Sequence, residues 1–147
     1  RTSFYEKMSY VMQEDYIYDN IVKYNIDLGK YYTETKIKKA LEQSELLNTI
    51  ENFPQKYETY IGEDGIKISG GQKQRLILSR NIVSTPKILI IDDGLTGLDL
   101  ETRKKIIENI TKNKNITLIV ISNMIEDIKE ADKIYILENK TLKELEV

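Results

Sequence analysis

At 147 residues the chain is about one domain long and can bury a core. Its 22 basic and 24 acidic residues leave a net charge of −2, so no global field marks it for nucleic acid or an anionic membrane surface. Cysteine is absent, which removes disulfides and thiolate metal sites, and histidine is absent, which removes every mechanism needing an imidazole base, acid or ligand.

No apolar run approaches the roughly 18 residues needed to span a bilayer, and no secretory signal opens the chain, so a membrane role is expected to need a partner or a further segment. The alternating Met8 to Met12 predicts a short strand ending at Gln13-Glu14-Asp15, followed by a polar loop. From about Thr33 to Asn52 the pattern turns helical, with Ile37, Ala40, Leu41, Leu47 and Ile50 apolar, and predicts two short helices closed by Phe53-Pro54. Tyr57 to Lys67 reads as a loop. Ser69 is placed to cap a helix from about Gly71 to Val83, with Pro86 beyond its end.

Ile88 to Ile91 is a continuous apolar run that fits a strand buried on both faces, as in a parallel sheet. Asp99 can cap a helix over about Leu100 to Lys112, with Ile106, Ile107 and Ile110 inward and Arg103, Lys104, Lys105 and Glu108 toward water. Ile116 to Ile121 predicts a strand, Met124 to Ala131 a short helix and Lys133 to Leu137 a last strand. This alternation of strand and helix is that of an α/β fold, in which ligands gather at the carboxyl ends of the strands.

Two stretches there suit phosphate and magnesium chemistry. Ser69-Gly70-Gly71 opens a helix with a hydroxyl, two positions without a Cβ and the positive end of a helix dipole. Asp92 and Asp93 end an apolar strand with hard oxygen ligands.

Ile68 to Arg75 resembles the signature motif of ABC-type ATPases, and Ile88 to Asp93 resembles their Walker B strand. Tyr10-Val11-Met12-Gln13 is similar to the strand leading to the Q-loop glutamine. Thr59 to Gly65 is similar to the loop that exporter-type members use against their transmembrane partner. Gly94 to Asp99 stands where the family has its D-loop, and Ser122-Asn123 where it has the switch histidine. The resemblance implies a P-loop NTPase-like fold: a mostly parallel sheet with a small helical signature subdomain. It also implies ATP and Mg²⁺ as cofactors, Asp92 and Gln13 as metal ligands, and Asp93, Asn123 and Gln13 as the catalytic set. Ser69, Gly70, Gly71, Gln72 and Asp99 are then the nucleotide-binding residues, acting on ATP held by the opposing ATPase domain.

The chain departs from the family at two of these positions. Asp93 stands where glutamate is usual as general base, and one methylene less displaces the carboxylate by about an ångström, which can cost on the order of a hundredfold in rate. Asn123 replaces the histidine with a shorter, uncharged amide. No G-x-x-x-x-G-K-[ST] loop occurs, so the phosphate cradle and its lysine are missing from these residues.

The expectation is therefore a partial ABC ATPase domain over 1–147 with an incomplete amino-terminal lobe. Residues of about 14–84 would form the Q-loop and signature part, and about 85–147 the Walker B, D-loop and switch part. It is expected to belong to an exporter at the cytoplasmic face of a membrane, partnered by a second ABC ATPase domain, the same or different, and by transmembrane domains, without nucleic acid. Its own site is expected to be weakened, its signature intact, and the chain alone inactive. The alternatives are a non-catalytic regulatory or dimerisation module, and a lobe of a chromosome-maintenance or repair ATPase. The compact segment between Gln13 and Ser69, without sustained heptads, argues against the last.

Overall fold

The computed structural model describes residues 4–13, 15–63 and 65–145. Glu14 and Asp64, which the sequence places at the end of the first strand and in the loop before the signature, lie outside them. Three strands, β1 (Met8–Met12), β4 (Ile88–Asp92) and β5 (Thr117–Ile121), form a parallel sheet in the order β1-β4-β5. Met12 pairs with Asp92 and Asp92 with Ile121. Gln13, Asp93 and Ser122 therefore leave the sheet side by side at its carboxyl edge.

Between β1 and β4 the chain makes a helical layer. A two-residue strand β2 (Asn20–Ile21) leads into α1 (Val22–Asp27), then come α2 (Glu34–Gln43), α3 (Leu47–Glu51) and β3 (Tyr60–Ile61), which pairs antiparallel with β2. The long helix α4 (Gly70–Ile82) packs against α1, α2 and β1. Its Leu76, Ile77, Leu78 and Ile82 are buried. They meet Val22, Ile26, Ile37, Leu41, Leu46 and Ile50 in one apolar cluster that continues to Leu89 and Ile91 under the sheet. Inside it the Ser44 and Ser79 hydroxyls bond at 2.7 Å, which satisfies two polar groups that burial would otherwise penalise. Helix α5 (Leu100–Thr111) returns the chain to β5, contributing Ile106 and Ile110 to the core.

Several expectations need correction. β4 buries one face only: Leu89 and Ile91 are buried, Ile88 and Ile90 half-buried, and on that second side Tyr10, Met12, Ile119 and Ile121 are exposed. The polar loop after β1 contains α1, and in the α2–α3 turn Leu46 is the fully buried leucine, Leu47 only partly. The helix expected over Met124 to Ala131 is a single 3-10 turn, Ile125–Asp127, followed by further turns. The strand expected to be last, β6 (Ile134–Glu138), does not extend the parallel sheet and is followed by a further strand. It folds back on β7 (Thr141–Leu145) through Asn139 and Lys140, both at positive φ (49° and 64°), the backbone a tight hairpin turn requires.

Gly94, just after the aspartates, is buried where a Cβ would come within 2.8 Å of Val11 Cγ1 and 3.2 Å of Ile91 Cγ2. Gly94→Ala overpacks that junction and is expected to destabilise by about 1–3 kcal/mol, read as a lower thermal midpoint.

Candidate functional site

Helix α4 starts as its sequence dictates. Ser69 Oγ accepts from the Gln72 amide at 3.2 Å and Gln72 Oε1 accepts from the Ser69 amide at 2.9 Å, a reciprocal capping box. The Gln72 side chain is thus committed to the cap. Of the helix's leading N–H groups, those of Gly70 and Gly71 have no acceptor among the described residues. Ser69 and Gly70 are exposed, and a Cβ on Gly70 would meet none of the described residues within 4 Å. A Cβ on Gly71 would sit 3.1 Å from Leu98 Cδ2. The Gly97 amide donates to Gln74 Oε1 at 3.1 Å, so the Gly94–Asp99 loop is fastened to the first turns of α4.

Asp99 caps α5, accepting from the Thr102 amide at 2.9 Å and the Thr102 hydroxyl at 2.7 Å. The Thr102 hydroxyl, then its amide, hold the exposed Asp99 carboxyl below the usual carboxylate range.

At the sheet edge, Asp92 Oδ2 accepts from the Tyr10 hydroxyl of the neighbouring strand at 2.5 Å. That bond, with the charge of Asp92, raises the pKa of Tyr10 above a free tyrosine's. Asp93 takes a left-handed backbone (φ 49°). Its amide donates to the Ile121 carbonyl at 3.0 Å and its carbonyl accepts from the Thr96 hydroxyl at 3.0 Å. Its Oδ1 is buried without a partner among the described residues, an acceptor that water or a cation would satisfy.

Gln13 and Asn123 are exposed beside these aspartates in the sheet register. No group of three or more His, Cys, Asp or Glu side chains that could hold a metal occurs among the described residues. Two carboxylates with an amide oxygen nevertheless fit Mg²⁺, which is held by one or two carboxylates together with phosphates and water.

The structure thus brings Asp92, Asp93, Gln13 and Asn123 to one edge, and gathers Ser69, Gly70, Gly71, Gln72 and Asp99 around the α4 N-terminus and its attached loop. Sequence reasoning missed the residues that hold these pieces. Arg80 of α4 donates to the Asn25 and Tyr16 carbonyls at 2.7 and 2.9 Å and reaches Asp15 at 3.6 Å, anchoring the segment after Gln13. Burial lowers its pKa, and Asp15 partly offsets that. Arg103, expected to face water, is only 7% exposed and bonds Asp127 and the Leu98 carbonyl. A cleft of about 690 Å³, lined by Lys39, Glu45, Asn109 and Lys112 among others, includes none of the candidate residues.

A parallel sheet with two adjacent carboxylates at its carboxyl edge, and a helix opened by two glycines, form an α/β domain whose groups suit phosphate and magnesium chemistry. The family model described as ABC transporter matches residues 1–96, and the chain belongs to that family. It is 38% identical over 144 residues to "Multidrug resistance-like ATP-binding protein MdlA" of Buchnera aphidicola subsp. Baizongia pistaciae, covering 95% of this chain and 25% of that protein. It is 35% identical over 139 residues to "Putative multidrug export ATP-binding/permease protein YgaD" of Bacillus subtilis, covering 92% and 24%. A solved bacterial Atm1-family ABC exporter with ATP bound superposes with a TM-score of 0.85 at 28% identity, over 94% of this chain and 25% of that one. The chain spans about a quarter of the length of the relatives it matches. None of its described helices is long and apolar enough to cross a membrane.

Proposed function

We propose that the chain is part of the ATP-binding and hydrolysing domain of an ABC exporter. It works at the cytoplasmic face of the membrane with transmembrane domains and a second ABC ATPase domain, and couples ATP binding and domain pairing to transport. Residues of about 14–84 form its Q-loop and signature part, and about 85–147 its Walker B, D-loop and switch part.

The observation that carries this reading is the start of α4. Ser69, Gly70 and Gly71 offer a hydroxyl and two amides with no acceptor among the described residues, and none of those residues would exclude a side chain at Gly70. Such a surface suits a phosphate supplied by another domain. Asp92 and Gln13 would hold Mg²⁺, which neutralises charge on the transferred phosphoryl group when bound. Asp93 would orient the attacking water, and Asn123 would donate its amide to the terminal phosphate.

Asp93 and Asn123 are both shorter than the family's usual residues, so this chain's own pocket turns over slowly while its signature serves the partner. They also favour the second reading, a non-catalytic module.

The test is Mg-ATP hydrolysis by the full-length protein reconstituted with its partner domain. Turnover is expected at one pocket per pair, and Asp93→Glu with Asn123→His is expected to raise turnover at this chain's pocket by about a hundredfold. No hydrolysis by the wild-type assembly would overturn the proposal in favour of the non-catalytic module.

A further inference from the structure

Arg103 lies one turn into α5 and points inward. Its Nη1 donates to the Leu98 carbonyl at 2.7 Å, within the loop that ends on Asp99. Its Nε donates to Asp127 Oδ1 at 2.7 Å, an ion pair whose side chains are 9% and 4% exposed. The other Asp127 oxygen accepts from Ser122 Oγ at 3.0 Å, and Ser122 Oγ in turn accepts from the Met124 amide at 3.0 Å. Asn123 sits between those two anchored residues. On the far side, Leu98 is the residue against which Gly71 packs closely, and Gly97 is bonded to Gln74 of α4.

A buried guanidinium is tolerable only while its charge is paired and its donors are used. Arginine's planar fork lets one side chain hold a carbonyl and a carboxylate at once. Separating the loop before α5 from the loop after β5 would strand the cation, the Asp127 carboxylate and the Leu98 carbonyl together. The two loops are therefore expected to shift as a unit.

We propose that Arg103 is a positioning residue that locks the Gly94–Asp99 loop to the Ser122–Asn123 loop, so that the state of this chain's own nucleotide pocket is transmitted to the signature face serving the partner's nucleotide. The transmission rests on the proposed function; the locking does not. The link is contiguous: α4, the Gly97-Leu98 turn, Arg103, Asp127, Ser122, Asn123. Contiguity alone does not establish energetic coupling, so the experiment measures coupling itself.

The uncoupled variant is Arg103→Met with Asp127→Leu. It removes both charges together and so avoids the unpaired buried ion that either change alone would leave. In the full-length assembly, spin labels on cysteines introduced at the exposed Glu101 and Glu126 report the separation of the two loops whether or not ATP is hydrolysed. One narrow distance distribution is expected in the parent and a broadened one in the uncoupled variant. An unchanged distribution would overturn the locking.

A double-mutant cycle then reads transmission. Asn123→Ala is expected to change kcat at the partner's pocket by about fivefold or more when Arg103 and Asp127 are present, with KM for ATP within about twofold. It is expected to change kcat by less than about twofold in the uncoupled variant. Equal effects in both backgrounds, or none in either, would overturn transmission. An assembly that hydrolyses no ATP at all refutes the proposed function and transmission with it, while the distance measurement still decides the locking.

Discussion

Arg103→Met is expected to destabilise the protein by about 3–5 kcal/mol, because it leaves the Asp127 carboxylate buried without its cation. For a domain of this length that corresponds to a fall of roughly 10–15 °C in thermal midpoint. Asp127→Leu alone falls in the same range, since it strands the guanidinium instead. The paired replacement removes both ions and is expected to recover most of the loss, retaining the cost of the unpartnered Leu98 carbonyl, about 1–3 kcal/mol. Thermal unfolding of the four proteins closes the cycle. Single variants within about 0.5 kcal/mol of the parent would mean that the pair is solvated in solution and contributes as little as a surface bridge. The contrast within the protein is Lys105 with Glu101, at the same 2.7 Å separation but exposed, whose loss is expected to change stability very little.

This pair was invisible in the sequence for a physical reason. Arg103 stands beside Lys104 and Lys105, and local periodicity assigns such a cluster to the solvent face. Its partner is 24 residues further on, beyond any spacing rule for a single helix. The same pairing explains why the helix expected over Met124 to Ala131 is only a turn: Asp127 bonds back to Ser122 and across to Arg103, and Ser122 caps the Met124 amide.

Features set by local chemistry were legible. Ser69 and Asp99 cap their helices, Pro86 lies beyond the end of α4, and the uninterrupted apolar runs of β4 and β5 pair in parallel. Features that depend on short or unusual signals were not. Helix α1 is six residues long, too short to show more than one apolar repeat, Val22 with Ile26. The β6–β7 turn puts Lys140, not glycine, at positive φ, so it carries no glycine signal. At the site the motif residues could be named from the resemblance, but the contacts that arrange them, Tyr10 with Asp92 and Gln74 with Gly97, cross 82 and 23 residues of sequence.

Gly70→Asp is expected to lower ATP turnover at the partner's pocket by about two to three orders of magnitude. Packing among the described residues gives no reason for glycine at this position: it is exposed, and a Cβ there meets none of them within 4 Å. An aspartate at the first helical position instead interacts favourably with the helix dipole, by about 0.3–1 kcal/mol, and replaces a residue of poor helix propensity. The variant is therefore expected to be as stable as the parent or slightly more so. What it harms is the approach of an anion to the Gly70 and Gly71 amides, because it places a carboxylate where the phosphate must come.

Where Ser69, Gly70 and Gly71 act is read most directly by trapping nucleotide in mixed assemblies that carry Gly70→Asp in this chain only. A photoreactive ATP analogue held with vanadate labels whichever domain has just hydrolysed it. Labelling of the partner domain is expected to disappear, while this chain's own pocket binds nucleotide as before. Undiminished labelling of the partner would show that the signature of this chain does not act in trans, and would contradict the assignment of Ser69, Gly70 and Gly71 to a phosphate held by the opposing domain.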